Sequence, residues 1–339
     1  MTIFDWLNHD YLPQLLDDFV NPQKRVSITY LASAAVIAVI WSVCVSRGAT
    51  RDSALQTRRK IFGQKIWCSR SAFGDYKLLI ANKILLLIVA PFFVSKIVAA
   101  TAVFFFLNEY FPAGSAVLAT VPPLIVAISY TVFLFVLDDF SRFATHLALH
   151  RIPCLWVFHK IHHSAETLNP LTVFRTHPVE SVLFSFRAIA VQSLSIALFV
   201  FLFGSSVDLI SIYGVNFVLF IFNLTGANLR HSHIQLRYGA ILERVFISPA
   251  QHQIHHSIDP NHHDRNFGAA LAVWDWMAGS LCVAHKNLKL EFGLSREPVT
   301  QSHGLINLYI TPFRELLSPA VRWSEYGSHN PRNRRKHAG

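Results

Sequence analysis

Long apolar stretches alternate with short polar segments over most of the chain. Two stretches carry no charged residue and are long enough to cross a bilayer as helices, Ser27–Val45 and Ser115–Leu137. Ile84–Leu107 is also apolar but contains a proline and a lysine. Two further stretches could either cross the membrane or enter it and return on the same side: Ala188–Phe203 and Leu209–Ala227. This pattern predicts an integral membrane protein with about four or five membrane-embedded helices.

Prolines divide the remaining sequence into short helical segments. Proline fits the first turn of a helix but not its interior, so each one marks a helix start or end. In the second half of the chain these prolines are Pro153, Pro170, Pro178, Pro249 and Pro260. Strand patterns are few, and we therefore predict an all-α fold. We divide it into a membrane-spanning region (1–137), a central histidine-rich domain (138–284) and a cytoplasmic extension with a basic tail (285–339).

The distribution of basic residues predicts the orientation. Hydrophobic residues make up 52% of the chain and the mean hydropathy is +0.36, which favours membrane residence. Basic residues accumulate between Ser27–Val45 and Ile84–Leu107. They are Arg47, Arg51, Arg58, Arg59, Lys60, Lys65, Arg70 and Lys77. Loops rich in basic residues stay in the cytoplasm. Counting crossings from this loop places the end of the Ser115–Leu137 stretch, and the histidines that follow it, on the cytoplasmic side.

The net charge of +10 fits the same picture, because basic loops and the tail RNRRK suit anionic headgroups. No soluble module with interleaved aromatic and basic residues is present, so we expect no nucleic-acid partner. The sequence lacks a C-terminal retrieval signal such as a dilysine, which favours a bacterial inner membrane.

Three short motifs bring histidines together at helical spacing: HLALH, HKIHH and HQIHH. Residues three or four apart lie on one face of a helix, so each motif presents a row of imidazoles. A lone histidine is more often a packed core residue, but this repetition within one domain is typical of metal binding. The candidate ligands are His146, His150, His159, His162, His163, His231, His252, His255 and His256.

Nine ligands exceed what one ion can use. First-row ions take about four to six ligands, so nine histidines are explained most simply by two metal ions that each keep an open position. Imidazole suits zinc, copper, iron and nickel, and ligand type alone does not select among them. An all-histidine set also brings no negative charge, so nearby carboxylates are expected to compensate for the metal charge and to orient the rings.

Several neighbours of these motifs are candidates for such supporting roles, each with an ordinary alternative as a cap, loop or surface residue. His233 is a rival or additional ligand beside His231, and His177 is either a hydrogen-bond partner or the residue that starts a helix before Pro178. The other candidates are His262, Asp139, Glu166, Asp259, Asp264 and Asp275.

The central domain resembles the fatty acid hydroxylase and sterol desaturase superfamily of integral-membrane histidine-box oxygenases. The similarity rests on DDFSRFATHLALH, on HKIHHSAETLNPLTVFRTHPVE, and on HQIHHSIDPNHHDRNFG followed by VWDWMAG. The additional histidine of that family is best matched by His231 in LRHSHI. The resemblance implies two iron ions, O2 as co-substrate and a separate reductase, ferredoxin or cytochrome as electron donor. It implies hydroxylation of a lipid such as a sterol, fatty acyl chain, carotenoid or alkyl ether, with no side chain acting as a covalent nucleophile.

Three other functions remain open at this point. The same di-iron site could desaturate a lipid, since loss of a second hydrogen competes with oxygen transfer. A bis-histidine haem protein would leave the adjacent histidine pairs unexplained. A histidine-rich metal transporter should place its ligands within the spans, whereas these motifs lie beyond the span ends.

Overall fold

Helices dominate the computed structural model, which describes residues 2–45, 63–89, 94–204, 207–212, 215–285, 288–294 and 303–317. Within those ranges the regular strands are limited to a two-residue antiparallel hairpin, β1 (Ser211–Ile212) and β2 (Val215–Asn216). The predicted all-α class is confirmed. Most of the basic loop used to predict the orientation, including Arg47 and Lys60, lies outside the described residues, as does the RNRRK tail.

The helices follow one another with short connections. In chain order they are α1 (Ile3–Trp6), α2 (Leu12–Val20), α3 (Ile28–Val45), α4 (Gln64–Trp67), α5 (Arg70–Val89), α6 (Lys96–Tyr110), α7 (Pro123–Arg151), α8 (Pro153–His163), α9 (Pro178–Phe203), α10 (Phe217–Leu224), α11 (Pro249–His255), α12 (Val273–Ala278) and α13 (Leu305–Leu317). Short 3-10 turns occupy Pro112–Gly114, Pro170–Phe174, Ala227–His231 and Leu242–Arg244, and a π-helical turn, Leu7–Tyr11, joins α1 to α2.

In the part of the chain that the structure describes, two helices are long and apolar enough to cross a membrane, α7 with 29 residues and α9 with 26. They pack against each other through aromatic side chains, with the rings of Tyr130 and Phe199 5.0 Å apart. Helix α3 is also apolar, but its apolar part, Ile28–Cys44, is slightly too short to count as a clear span. Within the described residues, the structure thus supports fewer clear spans than the four or five predicted, and the full number stays a prediction.

Three predicted stretches differ from the helices observed. Residues 115–122 form turns, and a proline pair at 122–123 starts the helix, so the Ser115–Leu137 stretch becomes α7 and continues to Arg151. The stretch Ile84–Leu107 falls on two separate helices, α5 and α6. Leu209–Ala227 holds the hairpin and α10, whose eight residues extend about 12 Å and cannot cross a bilayer. Hydropathy windows register apolar content but not these turns.

The chain turns sharply where α7 ends and α8 begins. Ile152 is extended and Pro153 opens the next helix, because its ring fixes a helical φ and its missing N–H is not needed there. Pro178 and Pro249 likewise open α9 and α11, as the proline pattern predicted. Helix α8 packs against α7, while α11 packs against the 3-10 turn at Ala227–His231. Since α7 runs unbroken through residue 137, the predicted domain boundary there falls inside one helix and stays a prediction.

Candidate metal centre

The nine histidines of the predicted metal set converge beside the C-terminal end of α7. They form two groups, and within each group the facing ring nitrogens all lie within 4.8 Å of one another. The five-histidine group contains His146, His150, His159, His163 and His255. The four-histidine group contains His162, His231, His252 and His256.

Helical spacing explains how the histidines divide. His159 and His163, four residues apart on α8, both enter the five-histidine group, and the intervening His162 turns to the other group. In HQIHH the division is reversed, because the pair four residues apart, His252 and His256, enters the four-histidine group. Each of these motifs therefore contributes to both groups, instead of presenting one row to one ion.

The two groups are immediate neighbours. The ring of His163 stacks on that of His256 with 4.6 Å between centroids, although the two belong to different groups. In the four-histidine group, the Nε2 atom of His231 lies 3.2 Å from that of His162 and 3.0 Å from that of His252. The arrangement is thus a single cluster with two centres.

Backbone carbonyl groups fix the orientation of three rings. The Nδ1 atoms of His146 and His255 lie 2.8 Å from the carbonyl oxygens of Phe267 and Arg265, and that of His162 lies 3.2 Å from the Arg175 carbonyl. A carbonyl oxygen can only accept, so each Nδ1 carries the proton and Nε2 keeps its lone pair. Each Nε2 is therefore available to bind a metal ion.

Burial keeps these imidazoles neutral. It lowers the pKa of His159 to about 3 and that of His162 to about 4, and it lowers the pKa of His255 well below its ordinary value. Four Nε2 atoms of the five-histidine group are buried with no hydrogen-bond partner among the described residues, those of His150, His159, His163 and His255. Unsatisfied buried acceptors are costly. Their convergence fits a bound cation that accepts the lone pairs.

Glu180 is the carboxylate that sequence reasoning missed. It lies in the first turn of α9, and its Oε1 atom is 3.1 Å from Nδ1 of His159, with both side chains buried. We expected acids to accompany the histidines, but Glu180 is 21 residues from His159 in sequence. The HPVE sequence that starts α9 was the available signal, since an acid in a first turn can face whatever precedes that helix.

A second missed element is the buried ion pair of Arg175 and Asp75. Arg175 Nη1 donates to Asp75 Oδ1 at 3.0 Å, and both side chains are completely buried. The Asp75 carboxylate also accepts hydrogen bonds from Thr172 Oγ1 at 2.7 Å and from Asn169 Nδ2 at 3.1 Å. Together with Arg175, three groups therefore stabilise its negative charge. Because the Arg175 carbonyl orients His162, this network braces the four-histidine group. The Nδ1 atom of His303 lies 2.8 Å from Arg175 Nη2.

Asp139 and Asp275 lie outside both histidine groups and fasten the loop between α11 and α12. Asp139 accepts from the backbone N–H groups of residues 270 and 271 and from Trp274 Nε1, at 2.8 to 3.0 Å. Asp275 accepts from the N–H groups of Phe267 and Gly268 at 2.8 and 2.7 Å. Since the Phe267 carbonyl orients His146, Asp275 contributes to the five-histidine group through the backbone.

The remaining candidates take other positions. His177 accepts from the Val179 N–H at 3.2 Å and caps the start of α9, which is the helix-start alternative. Asp259 forms a turn with Asn261, Asp264 lies 3.8 Å from Arg151, and Glu166 lies 3.6 Å from His303. Two histidines, His233 and His262, belong to neither metal group among the described residues.

Comparison with known proteins agrees with this geometry. Residues 131–280 match the fatty acid hydroxylase family model. This segment belongs to the fatty acid hydroxylase family. The superfamily predicted from the histidine motifs is therefore confirmed, and the hydroxylase segment includes all nine clustered histidines.

Relatives of the hydroxylase segment include enzymes of lipid metabolism. Human alkylglycerol monooxygenase is 29% identical over 188 residues, covering 54% of this chain and 38% of the relative. An ornithine lipid hydroxylase from Rhizobium tropici is 28% identical over 146 residues, covering 43% of this chain and 39% of the relative. The chain thus spans less than two fifths of the length of these two relatives. No solved structure matches it.

Proposed function

We propose that this protein is a membrane-bound non-haem di-iron oxygenase that hydroxylates a lipid, using O2 and electrons from a separate donor. The observation that carries the proposal is the convergence of nine histidines into two adjacent groups. The family of the hydroxylase segment and the lipid enzymes among its relatives support a lipid as substrate.

The ligand set fits two ions better than one. Five and four neutral imidazoles correspond to two centres, each able to keep an open position. Iron bound there would supply the redox chemistry with O2 that hydroxylation of an unactivated C–H bond requires, and zinc would not. The histidines would hold the ions through ring nitrogens, and the Nε2 atoms of His146, His162 and His255 are already aimed by backbone carbonyls.

The chain itself supplies charge, orientation and shelter from water. Burial raises the pKa of Glu180, beside His159, to about 8, and a cation bound at the histidines would favour its ionised form and give this neutral set of ligands a negative charge. Phe267 and Trp156 form apolar walls, with rings 5.0 and 4.9 Å from that of His150. Such walls suit the alkyl part of a lipid and exclude water from a reactive site.

A membrane setting gives this site its substrate. Helices α7 and α9 are the candidate spans, and the histidines follow at the end of α7, so a lipid would enter laterally from the bilayer. We place the cluster on the cytoplasmic side of a bacterial inner membrane, where a soluble reductase, ferredoxin or cytochrome can deliver electrons. Sterols, fatty acyl chains, carotenoids and alkyl ethers are the substrate classes within this proposal.

The deciding experiment combines metal analysis with lipid mass spectrometry. Purified active protein should contain about two iron ions per chain, and cells expressing it should accumulate a lipid that takes one oxygen atom from 18O2. His255→Ala should abolish the product, whereas His285→Ala, which changes an exposed histidine outside the cluster, should not. Active protein with no more than one ion per chain would reject the two-metal proposal.

The same measurements separate the alternatives. A product lacking two hydrogens, with no added oxygen, would identify a desaturase, which the same ligand set could support. Cellular metal uptake that depends on the histidines, without oxygen consumption, would identify a transporter. A strong Soret band in the purified protein would identify a haem protein.

A further inference from the structure

Two arginines beside the four-histidine group have no carboxylate partner among the described residues. Arg230, which directly precedes His231, is only 4% exposed. Its Nε donates to the Ala227 carbonyl at 2.9 Å, and its guanidinium carbon lies 5.5 Å from the centre of the Phe222 ring. The Nη2 atom of Arg25 is buried and makes no hydrogen bond.

Two other buried arginines among the described residues are paired with acids. Arg187 donates to Asp138 at 2.7 Å, and Arg175 donates to Asp75 at 3.0 Å. A buried guanidinium without a counter-charge is unfavourable, and charged side chains are rarely buried unless they are paired. Arg25 and Arg230 therefore need an anion that the described part of the chain does not supply.

The two arginines lie on segments that touch. Asn228 Nδ2 donates to the carbonyl oxygen of Arg25 at 2.8 Å, which joins the start of α3 to the 3-10 turn carrying Arg230. Burial lowers the pKa of Arg25, and the nearby positive charges of Arg230 and Arg142 lower it further. Ser27, two residues after Arg25, also has a buried hydroxyl without a hydrogen-bond partner. Two groups without hydrogen-bond partners thus lie within three residues of each other, on a segment that contacts the turn carrying Arg230.

We propose that Arg25 and Arg230 bind the anionic headgroup of a lipid through its phosphate or carboxylate oxygens. Guanidinium groups match such oxygens with paired hydrogen bonds. A lipid held here would have the carbon atoms nearest its headgroup beside His231 and the two histidine groups. The assignment of this lipid as the substrate rests on the proposed function, and it adds that the substrate is acidic.

Equilibrium binding to the full-length protein in neutral detergent micelles tests this site. The probes are phosphatidic acid, a fatty acid, and a diacylglycerol with the same chains as the phosphatidic acid. At least one acidic lipid should bind more tightly than the diacylglycerol, and Arg25→Gln and Arg230→Gln should each weaken that binding about tenfold or more. Arg25→Lys should recover part of it. The control is Arg244→Gln, which removes an exposed arginine and should bind like the wild type.

Three binding results would overturn the proposal. They are equal affinity for acidic and neutral lipids, unchanged affinity in both Gln variants, and inorganic phosphate alone competing as well as the acidic lipid, which would indicate a site for free anions. Without lipid, Arg25→Gln should melt at or above the wild-type temperature because it removes an uncompensated buried charge, and a loss of folding would indicate a structural arginine instead. Binding requires no turnover, so failed hydroxylation with intact binding would reject the proposed function alone.

Discussion

His159 and Glu180 bring a carboxylate to a cluster otherwise built from neutral rings, with Nδ1 and Oε1 3.1 Å apart. Among the described residues, no other clustered histidine lies at ion-pair distance from an acid, and three rings are oriented by backbone carbonyls instead. An adjacent carboxylate raises the basicity of an imidazole and strengthens its bond to a metal. The five-histidine group should therefore hold its ion more tightly through His159 than a carbonyl-oriented ring would allow.

Replacing Glu180 by Gln should weaken metal binding while preserving the fold. The amide keeps the size of the side chain but removes the charge, and loss of such a partner typically costs about 10 to 100-fold in metal affinity. Iron retained against increasing chelator concentrations measures this effect. Glu291→Gln, at an exposed glutamate, is the matched control. Identical chelator resistance in both variants would show that Glu180 does not support the metal.

The local features of this site were predictable, while the long-range contacts were not. Helix starts at Pro153, Pro178 and Pro249 follow from the geometry of proline alone. Which nine histidines cluster could be proposed because motif spacing and sequence order carry that information. The pairing of His159 with Glu180 depends on how α9 docks against α8, and no periodicity within one segment encodes that docking.

The hydropathy pattern failed where turns interrupt apolar sequence. Residues 115–122 belong to an apolar stretch that is long enough for a span, yet they form turns ahead of the proline pair that opens α7. The buried pair of Asp75 and Arg175 was equally inaccessible, because an acid and a base 100 residues apart give no local sign of contact. The available hint was only the general one that a charged residue must be paired if it is buried.

His231 and His233 should differ in their effect on metal content. His231 belongs to the four-histidine group and His233 to neither group. Removing one ligand of a four-ligand site should empty that site, so His231→Ala should retain about one iron ion per chain where the wild type holds about two. His233→Ala should retain both. Iron analysis of the purified variants decides, and equal loss from both would reassign the ligand.

Breaking the Asp75 and Arg175 pair should be far more costly than breaking a surface pair. Asp75→Asn leaves the fully buried Arg175 guanidinium without a counter-charge and should lower the free energy of unfolding by about 3 to 5 kcal/mol. Asp17→Asn disrupts the exposed contact with Lys24, which is 3.7 Å long. It should lower the free energy of unfolding by about 1 kcal/mol or less. Thermal unfolding in detergent compares the two, and similar melting temperatures would contradict the bracing role of the buried pair.

Removing metal should destabilise the wild-type protein through the buried imidazoles. Without an ion, the Nε2 atoms of His150, His159, His163 and His255 are buried acceptors without partners, and the folded state alone assembles them into a site. A ligand that binds only the folded state at about 100 times its Kd stabilises it by about 2.7 kcal/mol. Chelator should therefore lower the melting temperature of wild-type protein, and iron should restore it. In His163→Ala, which lacks one of these acceptors and cannot fully hold the ion, the shift should be smaller. An equal shift in both proteins would place the stabilising metal elsewhere in the chain.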